Sequence, residues 1–351
     1  MKITVNIRRQ AHREAAPQQQ TYTVDLDPQR NTVLDLLHEI QWQQDGSLAF
    51  RRNCRNVICG SCGMRVNGKA TLACQKNIAE IISETESEPT ITIAPLGNLP
   101  VVKDLIVDMT KFWHNLQRVD PYVATAARAI TEKEFNQTPA QRAQLQDAAN
   151  CLMCGACYSD CNAAAVSDDF VGPHALAKSY RVMADNRDQR TPERTAQYNA
   201  TDFAWGCTRC FQCNEVCPVG VNPMDRISQI KQTILQDHTL TETTPQRHRY
   251  TLIEMVKAEG WVDESKFGLQ VIGNGGKDWR GMLSLAPVGW RMVTRGKMPY
   301  PWDFKPSPGA TQAGRLMDAV QAYRQQDQIT NTPQAKENQA KKQATPPESS
   351  N

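Results

Sequence analysis

Apolar and polar residues alternate at Ile3, Val5 and Ile7, and again at Tyr22, Val24 and Leu26, with a polar, turn-like stretch between them. Alternation sends successive side chains to opposite faces, so the two runs predict a half-buried hairpin. Asn31 and Thr32 then stand where a helix needs a cap, ahead of Val33, Leu36, Leu37 and Ile40 at helical spacing. Met64 and Val66 lead into Asn67-Gly68, a pair suited to a two-residue hairpin turn because both positions tolerate positive φ. Ile91 and Ile93 supply a last strand. The first hundred residues thus predict a small mixed fold in the order hairpin, helix, loop, hairpin, strand.

Further on the period lengthens. Leu105, Met109, Phe112, Trp113 and Leu116 recur at helical spacing, and Met224, Ile227, Ile230 and Ile234 form one stripe. Thr138-Pro139 and Asn222-Pro223 each place a cap residue before a proline suited to the first helical position, and Pro173 opens another helix. Beyond about residue 240 the character changes: Gly273, Gly275 and Gly276 mark a loop, followed by a Trp/Met/Arg-rich stretch to Trp302. There Trp279, Met282, Leu283, Ala286, Trp290 and Val293 share a helical face, surrounded by Arg280, Arg291, Arg295 and Lys297, and Pro287 should kink the helix. Two readings stand, an ordinary core helix or a surface that docks a partner or membrane. From roughly Gln325 to Asn351 almost nothing is apolar, and disorder is expected. The resulting domain expectation is 1–100, 101–240, a possible docking extension over 241–325, and a disordered tail over 326–351.

Charge mainly excludes. The 40 basic and 37 acidic residues leave +3, with no basic stripe interleaved with aromatics, so a nucleic-acid partner is not expected. No run of eighteen apolar residues occurs and Met1 opens directly on a strand, so neither a transmembrane segment nor a signal peptide is expected. The six histidines are scattered and read as solvated or packing residues.

Cysteine changes the picture most. All 12 fall into three groups of four, with none left over. Cys54, Cys59, Cys62 and Cys74 are spaced C-x4-C-x2-C with the fourth further on, the arrangement of a plant-type [2Fe–2S] cluster. The long inner loop wraps the cluster with backbone N–H groups aimed at sulfur, and Gly60 and Gly63 provide the permissive positions. The competing reading is zinc, which more usually pairs two C-x2-C knuckles across a longer gap. Cys151, Cys154, Cys157 and Cys161 form the second group, and Cys207, Cys210, Cys213 and Cys217 the third, both spaced C-x2-C-x2-C-x3-C. Such spacing lets three thiolates grip one cubane while the fourth ligates the other. Crossed ligation therefore assigns Cys151, Cys154, Cys157 and Cys217 to one [4Fe–4S] cluster, and Cys161, Cys207, Cys210 and Cys213 to a second. Pro218 follows the last cysteine as the pattern asks, whereas Asn162 replaces the corresponding proline. The fold class expected is α+β, an N-terminal β-grasp [2Fe–2S] ferredoxin domain followed by an all-α two-cluster ferredoxin-like domain. Clustered thiols without a secretion signal predict a reducing, cytoplasmic compartment.

With these motifs the chain resembles the iron–sulfur subunit of succinate dehydrogenases and fumarate reductases. The resemblance rests on "RRNCRNVICGSCGMRVNGKATLAC", "PVVKDLIVDMTKFW", "DDFVGPHALAKSYR" and "CNEVCPVGVNPMDRISQIK", and covers about residues 1 to 237. It implies an electron-transfer subunit that takes electrons from an FAD-bearing, dicarboxylate-oxidising flavoprotein at the [2Fe–2S] end and passes them to a quinone site at the membrane. FAD and substrate chemistry would lie on the partner chain, and this subunit would sit peripherally on the cytoplasmic face. Two departures matter. The usual member has an apolar residue at Cys210 and a [3Fe–4S] cluster; a fourth ligand here implies [4Fe–4S]. The family's quinone contacts are replaced by Asn162, Ala163, Val166 and Thr208. Both departures resemble a branch that hands electrons to a cysteine-rich membrane-associated partner like heterodisulfide reductase subunits. Arg51, Arg52, Arg55 and Arg65 crowd the first cysteine loop, either as a solvated surface stabilising an anionic cluster or as a docking face for the flavoprotein. The alternative functions are the iron–sulfur subunit of another flavin-dependent dehydrogenase or heterodisulfide-reductase-like complex, and a structural cluster or zinc protein acting on nucleic acid.

Overall fold

The computed structural model describes residues 1–82, 89–125, 134–297 and 308–330. They fall into two compact units, Met1–Leu240 and a second from Thr241 onward.

The first unit opens with β1 (Lys2–Arg9) and β2 (Gln18–Asp25), paired antiparallel from Lys2↔Asp25 to Arg9↔Gln18. Helix α1 (Val33–Gln43) starts where a cap was expected. The Asp35 N–H donates to Thr32 Oγ1 at 3.3 Å while the Thr32 N–H donates to the Asp35 carboxylate at 3.0 Å, which satisfies two otherwise orphaned donors. Strands β3 (Gly63–Val66) and β4 (Lys69–Leu72) form the second hairpin, its turn made by Asn67 (φ 46°) and Gly68 (φ 82°). Strand β5 (Thr90–Ala94) slots between β1, to which it is parallel, and β3, giving the order β2-β1-β5-β3-β4. Ile3, Val5, Ile7, Leu36, Leu37, Ile40 and Ile91 are fully buried between sheet and α1, each worth about 1.5–3 kcal/mol in transfer free energy.

The expected helix from Leu105 begins later. Residues 101–107 form a small ribbon, β6 (Val101–Lys103) and β7 (Ile106–Val107), and α2 spans Thr110–Gln117. Asp104 takes a left-handed conformation (φ 48°) and its buried carboxylate accepts from Arg9 Nε at 2.9 Å and from the Gln10 and Ala49 N–H groups. Those bonds hold the ribbon's turn and bury Leu105 there, while the Asp108 carboxylate accepts the Thr110 N–H at 2.9 Å and starts the helix.

The helical part follows: α3 (Pro139–Ala149), α4 (Ala156–Ser159), α5 (Asn162–Val166), α6 (Pro173–Met183), α7 (Thr191–Tyr198), α8 (Gln212–Glu215) and α9 (Pro223–Gln236). Thr138 caps α3 with Gln141 as expected. Asn222 does not cap α9 with its side chain; it turns left-handed (φ 52°) and the Asn214 side chain accepts the Met224 N–H instead, at 2.7 Å. Helices α6 and α9 pack together, burying Leu176, Ile227, Ile230 and Ile234 with Phe112, Tyr158 and Phe170. Gly172 permits this packing: at φ 90° a Cβ would sit 2.6 Å from the Tyr158 ring.

The second unit contains α10 (Thr244–Glu259), α11 (Glu264–Val271), α12 (Trp279–Thr294) and α13 (Ala310–Thr330). Helix α12 runs continuously through Pro287 and buries no residue, which is not the behaviour of a core helix. Met282 leaves the face expected to hold it together with Trp279 and packs at Gly273. The tail expected to be disordered from 326 is still helical to Thr330; its Gln- and Ala-containing sequence lacks burial potential but not helix propensity. Residues 331–351, with Trp302, lie outside the described residues.

Candidate metal centres

The first cysteine loop runs between α1 and β3. Arg55, Val57 and Gly60 all have positive φ, and the curl they impose lets the N–H groups of Asn56 and Cys59 donate to Cys54 Sγ, both at 3.3 Å. The Cys59 thiol is lowered to about 6, chiefly by the Ser61 hydroxyl and then by Cys54, whereas burial pushes Cys62 up to about 12 beside Cys74 and Cys59. All four predicted residues of the first group therefore act on one another. Gly60 and Gly63 do more than permit a turn: a Cβ on either would lie 3.0 Å from backbone atoms of Cys154 or Leu152. The first cysteine loop thus rests directly on the second.

The second and third groups interleave. Burial raises Cys154 to about 11, with Cys151 and Cys217 adding to it. Cys157 is raised well above the ordinary thiol value, by burial and then by Cys154, Cys151, Cys213 and Cys217. Burial also raises Cys161, whose neighbouring thiols are Cys207 and Cys210, and pushes Cys213 up to about 12, beside Cys207, Cys161 and Cys210. Each fourth cysteine thus faces the other group's first three. Cys151, Cys154, Cys157 and Cys217 line one cavity, closed by Phe112, His174, Pro218 and Val221. Among the described residues no three His, Cys, Asp or Glu side chains converge closely enough for a single metal ion. Four soft thiols per group are chemically suited to an iron–sulfide cluster, whose positive metal ions would keep ligating thiols deprotonated where burial alone would protonate them. The donor sets fit.

The two loops share a backbone. Met153 (φ 55°) and Gly155 (φ 83°) flank Cys154, and Arg209 (φ 60°) and Phe211 (φ 64°) flank Cys210. Several contributors were not visible in the sequence. Lys231 is buried and donates to the Cys207 carbonyl at 3.0 Å. Met153 Sδ lies 3.5 Å from Cys151 Sγ, and Met224 Sδ 3.6 Å from Cys207 Sγ. Asn98 Nδ2 donates to the carbonyls of Tyr158 and Cys161, at 2.8 and 2.9 Å. His174 stacks on Phe112 with ring centroids 3.7 Å apart, and burial lowers it to about 3, so it is neutral.

The four arginines divide. Arg65 turns inward, donating to the Gly68 carbonyl and pairing with Asp160 at 3.4 Å. Arg55 donates to His38 Nδ1 at 2.6 Å, and Arg51, Arg52 and Arg55 remain exposed. Trp42, which stacks on His38, and Ile58 are exposed as well, apolar members of this surface that charge counting missed. Asn162 and Val166 are exposed on α5, Ala163 is buried and Thr208 is exposed.

These features define an iron–sulfur electron-transfer protein. A family profile described as a 2Fe-2S iron-sulfur cluster binding domain matches residues 4–114, and one described as a 4Fe-4S dicluster domain matches 147–221. The fumarate reductase iron-sulfur subunit of Escherichia coli is 34% identical over 245 residues, 70% of this chain and 97% of its own length. A mitochondrial succinate dehydrogenase [ubiquinone] iron-sulfur subunit of Arabidopsis thaliana is 34% identical over 226 residues, 64% of this chain and 72% of its own length. A chain of the Mycobacterium smegmatis Sdh1 complex shares the fold, with a TM-score of 0.58 at 21% identity over 69% of this chain and 99% of that one. The chain belongs to the family of iron–sulfur subunits of succinate dehydrogenase and fumarate reductase. Its role is electron transfer.

Proposed function

We propose that the chain carries one [2Fe–2S] cluster on Cys54, Cys59, Cys62 and Cys74, and two [4Fe–4S] clusters in the crossed sets Cys151, Cys154, Cys157, Cys217 and Cys161, Cys207, Cys210, Cys213. When bound, these clusters supply one-electron carriers. The carrying observation is the interleaving of the thiols, each fourth cysteine facing the other group's first three. The chain's own residues set the order of transfer. Gly60 and Gly63 bring the first loop against Cys154, and α4 joins Cys157 to Cys161, so the groups run in series. The exposed Arg51, Arg52, Arg55, Trp42 and Ile58 receive an FAD-bearing, dicarboxylate-oxidising subunit at the first loop. At the other end Cys210 is exposed, and electrons leave there to a quinone-linked, cysteine-rich membrane partner on the cytoplasmic face.

Crossed ligation is tested in a Cys210→Ile background, where the third-group cluster is expected to become [3Fe–4S]. Adding Cys161→Ala should then perturb that cluster's paramagnetic signal, while adding Cys217→Ala should leave it and damage the other cubane. The reverse pattern would contradict the assignment.

A further inference from the structure

Helix α12 presents three distinct sides. Gly281, Met282 and Leu285 are half-buried and pack toward the rest of the second unit, with Gly281 against the Ile272 carbonyl, Met282 at Gly273 and Leu285 at Gly268. Trp279, Leu283, Ala286, Trp290 and Val293 follow at spacings of four, three, four and three, so they line a second side. That side is open: Trp279 is 59% exposed, Leu283 60%, Trp290 71% and Val293 55%. Arg280, Arg291 and Arg295 share an adjacent flank, with Lys297 just beyond the helix, all exposed. No acidic residue occurs from 279 to 297. The helix is not built to cross a bilayer, since no helix among the described residues is long and apolar enough to do so.

We infer that α12 lies flat on an anionic lipid surface, its Trp279, Leu283, Trp290 and Val293 side entering the headgroup–acyl boundary and its basic flank meeting lipid phosphates. The charge pattern selects this occupant. Four cations without one intervening carboxylate, flanking an apolar side that carries two tryptophans, are the combination that holds an interfacial helix on a diffuse sheet of negative lipid charge. The two tryptophans lie three turns apart on one side, roughly 16 Å along the axis, anchoring both ends of the helix at one depth. Indole rings favour that depth because one edge stays wet. The long arginine stems reach outward to the phosphates while their methylenes cover apolar surface. This inference goes beyond the cluster assignment and does not depend on it.

The test is flotation of the anaerobically purified holoprotein with vesicles of phosphatidylglycerol in phosphatidylcholine, against phosphatidylcholine alone. Binding is expected to the anionic vesicles, to fall steeply with salt, and to drop by roughly fivefold for each basic residue removed in Arg291→Gln and Arg295→Gln. Trp279→Ala with Trp290→Ala should weaken it at least as much, with helix content, iron content and dye reduction unchanged because both side chains are exposed. Leu283→Gln on the same side provides a second readout. Equal flotation of all variants and wild type would overturn the inference. So would absence of vesicle binding, or attachment to native membranes that disappears after the membranes are treated with protease, which would identify a protein partner.

Discussion

The second and third cysteine loops have the same spacing and the same pair of left-handed residues around their middle cysteine, yet they meet opposite environments. In the second, Gly155 takes the left-handed position at no steric cost beside the Met109 and Leu96 side chains, and the middle cysteine, Cys154, is half-buried. In the third, Phe211 occupies the equivalent position (φ 64°), where a bulky side chain is strained, and is 51% exposed beside the exposed Cys210. One loop is packed into the protein between neighbours; the other brings a thiol and an aromatic ring to the surface. A common cysteine spacing thus stands in one packed and one open setting, and the difference lies in single residues between the cysteines.

The largest effect expected from breaking this frame is at Cys213. Cys213→Ala removes a buried ligand required by a three- or four-iron cluster and should abolish assembly of the third-group cluster, seen as loss of its low-temperature paramagnetic signal. Cys210→Ile should be milder. Three thiolates still hold three irons, so the site should convert to [3Fe–4S] with the other two clusters intact; a full complement of cubanes in this variant would show that Cys210 is not a ligand. Smaller effects separate the two loops by stability. Gly155→Ala places a Cβ 3.3 Å from Met109 at φ 83° and should cost about 1–2 kcal/mol. Phe211→Gly should change stability by less than about 1 kcal/mol, relief of strain offsetting the greater freedom of the unfolded chain. Thermal unfolding of the holoprotein compares them, and equal losses would mean that the two loops do not differ as described.

What could be read from sequence was what is decided locally. Alternation gave β1 and β2, Thr32 announced α1, and Asn67-Gly68 fixed the second hairpin, because each depends on neighbours within a few residues. The ribbon at 101–107 was missed because the spacing between Leu105 and Met109 imitates a helix, and the bonds that oppose it come from Arg9 and Ala49. Asn222 stands where a cap is expected, but the bond to the Met224 N–H comes from Asn214 in another loop. The cysteine groups were legible by spacing. The close approach of Gly60 and Gly63 to Cys154, the buried Lys231 and the stacked His174 were not, since each exists only once distant segments pack. The amphipathic pattern of α12 likewise left open what would cover it, and its exposed tryptophans decide against the core.

The central claim is that the third loop, like the second, completes a four-iron site. Iron analysis with low-temperature paramagnetic resonance on anaerobically purified protein addresses it most directly. The account predicts about ten irons per chain and no stoichiometric signal from an oxidised [3Fe–4S] centre. About nine irons together with such a signal in undamaged protein would contradict it.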